Sequence, residues 1–219
     1  MICFRCLQNL ICPCFPQEDE KRLEQAVKIS REQNPRFHIQ EIPPLDPICK
    51  KTRTILSKWE NLADDKKDQA TNPTAQDRFY DSSVISHRIS GRLDLKLPTD
   101  RVFLCIDDEN VMQSIAIVEN DGPGLFISDG RSLSIKYLAS HPNNIRHSVN
   151  SKEKSRVPGA GTALVHHIFQ TCIKEGKDGV LLQPIDSSTG FYQKLGFYNG
   201  WIHMSISSEE IRLLSENTK

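Results

Sequence analysis

The 219-residue sequence has no surplus of charge of either sign. Its 28 Lys and Arg residues balance 28 Asp and Glu residues, giving a formal net charge of zero. A nucleic-acid binder would normally carry a basic excess, so this balance argues against one. No apolar run approaches the roughly 18–20 residues that a membrane span needs. There is no internal repeat, and no Met-Gly start of the kind that N-myristoylation requires. The apolar stretch from Leu7 to Phe15 is broken by Pro13, followed by Pro16, and lacks a small-residue cleavage site. The expectation is therefore a protein that is not secreted through a cleavable signal peptide. With 37% hydrophobic and 26% charged residues, the chain fits one sizeable globular domain with polar extensions.

Cysteine is present but unevenly placed. Four of the seven, Cys3, Cys6, Cys12 and Cys14, lie in the first 14 residues, and Cys49, Cys105 and Cys172 are scattered. A disulfide framework would spread its cysteines along a short chain, so a reduced, cytoplasmic domain is expected. The N-terminal cluster admits three readings. A zinc site is disfavoured because its second half lacks a two-residue gap and no histidine lies nearby. Clustered cysteines among apolar residues also resemble S-acylated anchors, which would associate the protein with a membrane without a spanning helix. The third reading is a tail with incidental cysteines.

The texture divides the chain into a cysteine-rich tail and helical linker over 1–34 and a folded domain over 35–219. Residues 17–34 are polar with a modest helical stripe (Leu23, Ala26, Val27, Ser30), ended by Asn34-Pro35. Phe37–Ile42 reads as a strand. Ile48, Ile55, Leu56, Trp59 and Leu62 give a helix face to about residue 66. Asp68–Thr74, with Pro73, reads as a loop, and Phe79, Val84, Ile85 and Ile89 suggest a second helix. Strands are expected at Val102–Ile106, Ser114–Val118 and Leu133–Ala139, the first two joined by a turn at Asp107–Asn110. The alternation of the third slips at Tyr137-Leu138, as a bulge or two-sided burial would produce. After a polar loop, Leu164, Val165, Ile168, Phe169 and Cys172 recur at helical spacing. Val180–Leu182 reads as a strand, Ser188–Leu195 as a short helix, Trp201–Ile206 as a last strand and Ile211–Leu214 as a short terminal helix.

Two segments carry chemistry. Arg156-Val157-Pro158-Gly159-Ala160-Gly161 leads into an apolar helix. Glycines there let a ligand approach the backbone, and the first-turn N–H groups are unsatisfied donors suited to an anion. Alone, such a segment is more often an ordinary tight entry turn. It is neither a Walker loop, lacking Lys-Ser/Thr, nor a dinucleotide fingerprint. About 30 residues later, Phe191-Tyr192-Gln193-Lys194-Leu195-Gly196-Phe197 places Phe191 and Leu195 on one helix face. Tyr192 then points elsewhere, either into a cleft as a proton donor or into an aromatic helix end packed on a sheet.

Together these segments resemble the GNAT superfamily of acyl-CoA-dependent N-acetyltransferases. The family loop Gln/Arg-x-x-Gly-x-Gly/Ala is matched by Arg156, Gly159 and Gly161, and the family helix Phe-Tyr-x-Lys-Leu-Gly-Phe by Phe191–Phe197. Element order extends the likeness over roughly 36–206, with specific motifs only over 133–200. The resemblance implies an α/β fold: a mixed, mostly antiparallel sheet flanked by helices, whose splayed central parallel strands bind acetyl-CoA. It places the pyrophosphate on the N–H groups of Gly159, Ala160, Gly161 and Thr162, counts Arg156 and Val157 among the co-substrate-binding residues, and sets the thioester against the backbone of Leu138 and Ala139. Asp186 and Tyr192 would lie beside the co-substrate, with Tyr192 protonating the leaving thiolate. No metal is implied, and the partners are acetyl-CoA and an amine of a small molecule or protein.

Three departures qualify that picture. Pro158 removes one loop N–H. Relatives often carry Glu or His near the positions of Ser134 and Lys136, and neither of these is an obvious base. His141 could act through a water, its unperturbed pKa of about 6.5 suiting the task, or be a loop histidine without chemistry. The His141–Arg156 segment is also long, with Arg146, Lys152 and Lys154 offered either to the adenosine phosphate or to solvent. The reading is an N-acetyltransferase. Its alternative is a catalytically weak or inactive CoA-binding module, tethered to a membrane through S-acylation.

Overall fold

The computed structural model describes residues 37–43, 46–95, 97–120, 131–145, 157–200 and 203–216. The four N-terminal cysteines, the expected linker helix, Arg156 and the centre of the long loop lie outside them.

The chain opens with strand β1 (Phe37–Ile42), then helices α1 (Ile48–Gln69) and α2 (Pro73–Leu95). Buried Cys49, Thr52, Leu56, Trp59 and Ala63 recur every three or four residues along α1, the period of a helix with one apolar stripe. The loop expected over Asp68–Thr74 is shorter, because Pro73 begins α2 rather than breaking it. At the first helical position the missing proline N–H is not needed, and Asn72 Oδ1 accepts the Ala75 N–H at 2.8 Å.

Strands β2 (Asp100–Asp107), β3 (Met112–Asn120) and β4 (Ser132–Ser140) follow. The Asp107–Asn110 turn forms where expected: Asp107 Oδ1 accepts from the N–H groups of Glu109 and Val111, and Asn110 takes a positive φ of 59°. Then come α3 (Ala160–Lys174), β5 (Gly179–Leu182), a 3-10 turn (Asp186–Ser188), α4 (Thr189–Lys194), β6 (Tyr198–Asn199), β7 (Met204–Ser207) and α5 (Ser208–Glu216). The last strand therefore lies at the end of its expected range. Helix α5 is announced by a reciprocal cap, in which Ser207 N–H donates to Glu210 Oε2 (2.9 Å) and Glu210 N–H to Ser207 Oγ (3.2 Å).

These strands make one seven-stranded sheet in the order β1-β2-β3-β4-β5-β7-β6, antiparallel throughout except at β4–β5. It is the α/β architecture expected from the sequence. One face buries Phe103, Ala116, Val118, Leu133 and Ile135 against Leu164, Ile168 and Cys172 of α3 and Ile211 of α5. The other buries Leu104, Ile115 and Ile117 against Leu56 and Trp59 of α1 and Ile89 of α2. The scattered cysteines Cys49, Cys105 and Cys172 are buried free thiols of these cores, and burial pushes the thiol of Cys172 up to about 11 and that of Cys105 to about 12. Among the described residues no helix is long and apolar enough to cross a membrane.

Candidate acyl-CoA cleft

The site begins where the parallel pairing stops. Only Ser132–Ile135 of the nine-residue β4 pair with β5, ending at Ile135↔Leu182. Beyond Leu182 the chain leaves as Gln183-Pro184, and Pro184 cannot donate to a ladder. On the other side, β4 pairs with β3 as Ile117↔Tyr137 and then Val118↔Ile135, leaving Lys136 as an extra residue. This is a bulge one residue earlier than the sequence slip implied. It places Tyr137 and Ala139 on the α1/α2 face and Leu138 on the α3 face.

Helix α3 starts at the resulting gap. Gly159 caps it with φ 94°, a left-handed conformation that disfavours any side chain. The first backbone donor turned back into the helix is Ala163, to Gly159 O at 2.9 Å. The preceding N–H groups of Ala160, Gly161 and Thr162 thus have no intrahelical acceptor and form an anion-ready end. Gly161 lies against β4: a Cβ there would meet Ser140 Oγ at 3.2 Å and Phe191 at 3.6 Å.

These parts enclose a cleft of about 620 Å³, within the range of small-molecule sites. Leu138, Gly159, Ala160, Gly161, Thr162 and Tyr192 all line it, so the structure brings together residues from three separated segments. Tyr192 is 7% exposed and sits edge-on to Phe191 and Phe197, with ring centroids 5.0 and 5.7 Å away. Burial pushes its phenol well above the usual tyrosine range, keeping it protonated at neutral pH. The turn after α4 is closed by Gly196 (φ 96°), with Phe197 N–H donating to Tyr192 O at 3.1 Å.

Other expected residues lie elsewhere. Ala139 is buried on the α1/α2 face and Asp186 is exposed outside the lining. The N–H of Val157 is taken by Asn144 Oδ1 at 3.1 Å. His141 is outside the lining too: its ring packs edge-on to Trp59 at 5.2 Å, and its Nδ1 accepts the Asn143 N–H. Sequence reasoning missed Asn144, which pins the loop to β3 through Gln113 Oε1 (2.9 Å). It also missed Ser187, a lining residue whose hydroxyl donates to Asp81 on α2. Both contacts join residues distant in sequence and leave no local pattern. Among the described lining residues there is no Asp, Glu or His. No cluster of metal-ligating side chains occurs among the described residues.

No protein-family model and no curated protein matches the sequence. Among solved structures, the chain is similar to a candidate acetyltransferase from Exiguobacterium sp. 255-15 at 16% identity, covering 80% of this chain and 96% of that one with a TM-score of 0.46. For Tetrahymena GCN5 the values are 13% identity, 70% and 86% coverage and a TM-score of 0.43. For the ribosomal-protein-S18-alanine N-acetyltransferase from Escherichia coli they are 16%, 54% and 76%, and 0.40. Likenesses this distant leave the fold to be read from the chain's own topology. In its strand order, its short parallel β4–β5 pair and the glycine-capped helix facing the gap between them, the domain has the topology that the resemblance to the GNAT superfamily implies.

Proposed function

We propose that the protein transfers the acetyl group of acetyl-CoA to an amine of a small molecule or protein. The observation that carries this reading is the convergence, on one cleft, of the open α3 N-terminus, the opened edge of β4 and the buried phenol of Tyr192. The N–H groups of Ala160, Gly161 and Thr162 hold the pyrophosphate, and Gly159 allows it to approach the backbone. The thioester lies along β4 beyond the bulge, where peptide groups near Leu138 no longer facing a β5 partner polarise its carbonyl. The amine lone pair attacks that carbon, the C–S bond breaks, and the departing thiolate takes the phenolic proton of Tyr192. The proton released by the amine passes to water and re-protonates the phenolate, since no described lining residue is a carboxylate or imidazole. His141 is given no part in this step.

The test is acetyl-CoA binding by calorimetry together with thiol release across a panel of amines. Saturable binding and amine-dependent thiol release are expected; absence of binding overturns the reading. The same missing base favours the second reading, a module that binds acetyl-CoA without turnover, which predicts saturable binding and no thiol release with any amine.

Gly161→Val gives a sharper check. The added side chain presses on Ser140 and Phe191 and narrows the cleft. Acetyl-CoA affinity is expected to fall about tenfold or more, equivalent to about 1.4 kcal/mol. An unchanged Kd removes the loop from the binding site.

We also propose that Cys3, Cys6, Cys12 and Cys14 carry thioester-linked acyl chains that hold the domain at the cytoplasmic face of a membrane. Two or more chains make such attachment stable. In fractionated eukaryotic cells the wild type is expected with membranes and the Cys→Ser quadruple variant in the soluble fraction. Equal partitioning overturns the anchor.

A further inference from the structure

The bulge that opens the cleft is tied to a buried charge network. Asp100 at the start of β2 and Glu119 near the end of β3 are 4% and 7% exposed. Carboxylates so buried need partners, because removing a charge from water costs several kcal/mol unless it is compensated. Arg92 on α2 supplies part of that compensation. Its Nε and Nη2 donate to Asp100 at 2.7 and 2.9 Å, and Nη2 also donates to Glu119 Oε1. One guanidinium leaves two carboxylates with one negative charge over. Lys136 supplies the balance, its Nζ 3.0 Å from Glu119 Oε2.

Lys136 is the extra residue of β4. Glu119 faces Ser134 across the β3–β4 pair, so Lys136 reaches it diagonally along the same face. Its ammonium is therefore held on the α2 side, directly before Tyr137, which packs on that side too. Two successive residues pointing one way are what turns Leu138 towards α3, where it comes within 3.8 Å of the Cβ position of Gly161. The strand thus changes register at the residue that this ion pair holds. Arg92 and Asp100 in turn fix Glu119 from two further elements, so the clamp spans α2, β2, β3 and β4.

We propose that Glu119 is a positioning residue for acetyl transfer: clamped by Arg92, it holds Lys136 at the bulge and so fixes which β4 peptide groups face the thioester. The inference rests on the acetyltransferase reading. It assigns Glu119 no contact with substrate, since Glu119 does not line the cleft.

The experiment combines kinetics with amide hydrogen exchange on full-length Glu119→Gln, Lys136→Met, their double variant and Lys136→Arg. Each single variant is expected to lose about tenfold or more in kcat, while KM for acetyl-CoA, governed by the start of α3, stays within about twofold. The double variant is expected to be no worse than the singles, because both break one clamp. Lys136→Arg keeps the ion pair and is expected to restore kcat to within about twofold of wild type. Exchange at residues 136–139 quickens in the Gln and Met variants and not in the Arg variant. If Glu119→Gln does not fold, Lys136→Met, which leaves the Arg92–Glu119 pair intact, carries the same comparison. A loss confined to Lys136→Met means that Lys136 acts directly on substrate, and overturns the proposal, as do additive losses or unchanged exchange in an active Glu119→Gln enzyme. A wild type that binds acetyl-CoA without turnover overturns instead the reading beneath it.

Discussion

Tyr192→Phe is expected to lower kcat by about a hundredfold or more while leaving acetyl-CoA affinity unchanged, the range typical of a lost general acid. The substitution removes one oxygen from a ring that is otherwise packed against Phe191 and Phe197, so neither helix α4 nor the aromatic cluster loses contact area. The phenol is held protonated by burial and lies on the cleft wall, so what disappears is a donor at the point where the C–S bond breaks. Steady-state kinetics alongside calorimetric binding makes the measurement. An unaffected kcat removes Tyr192 from the proton transfer, and a lost affinity with intact kcat makes it a binding residue only.

Gly179→Ala is expected to have the largest effect on stability. A Cβ at Gly179 would lie 2.4 Å from the carbonyl oxygen of Ile206 and 3.3 Å from Ser207 Cα, both backbone atoms of β7. A side chain could turn aside; a backbone held in register cannot. Gly179 pairs with Ser207 on one side and Ser132 on the other, so β5 has no room to move away. One strand pairing must part, at a cost of about 3 kcal/mol or more, beyond ordinary overpacking. For a chain of this size that corresponds to a Tm lower by about 6–12 °C, read by thermal unfolding followed by circular dichroism. An unchanged Tm would mean that β5 and β7 do not pair in this register.

How far the sequence foretold the molecule depends on the kind of signal. The α3 stripe from Leu164 to Cys172 and the Phe191–Phe197 segment were legible because their information is local: helical spacing, a stop glycine, an aromatic beside it. The slip in the sequence pattern lies one residue after the bulge for a specific reason. The two adjacent residues on one face are Lys136 and Tyr137, and a lysine bonded to a buried glutamate leaves no mark in a hydrophobic pattern. Pro73 reads as loop in the sequence because a proline breaks a helix everywhere except in its first turn, which is where it stands. The Tyr198–Asn199 strand was too short to show alternation. Charge pairing among residues 92, 100, 119 and 136 has no period at all, and only the fold brings those residues together.

The antiparallel part of the sheet is really two ribbons, each continuous in the chain: β1-β2-β3-β4 over 37–140 and β5-β7-β6 over 179–207. What stitches them edge to edge is a seam of four parallel residue pairs. Helix α3 packs on both, so a single buried core joins the two ribbons and the seam itself carries only a short ladder. The cleft lies at the end of that seam, where the strands of two separately laddered ribbons part without either ribbon losing a ladder bond of its own.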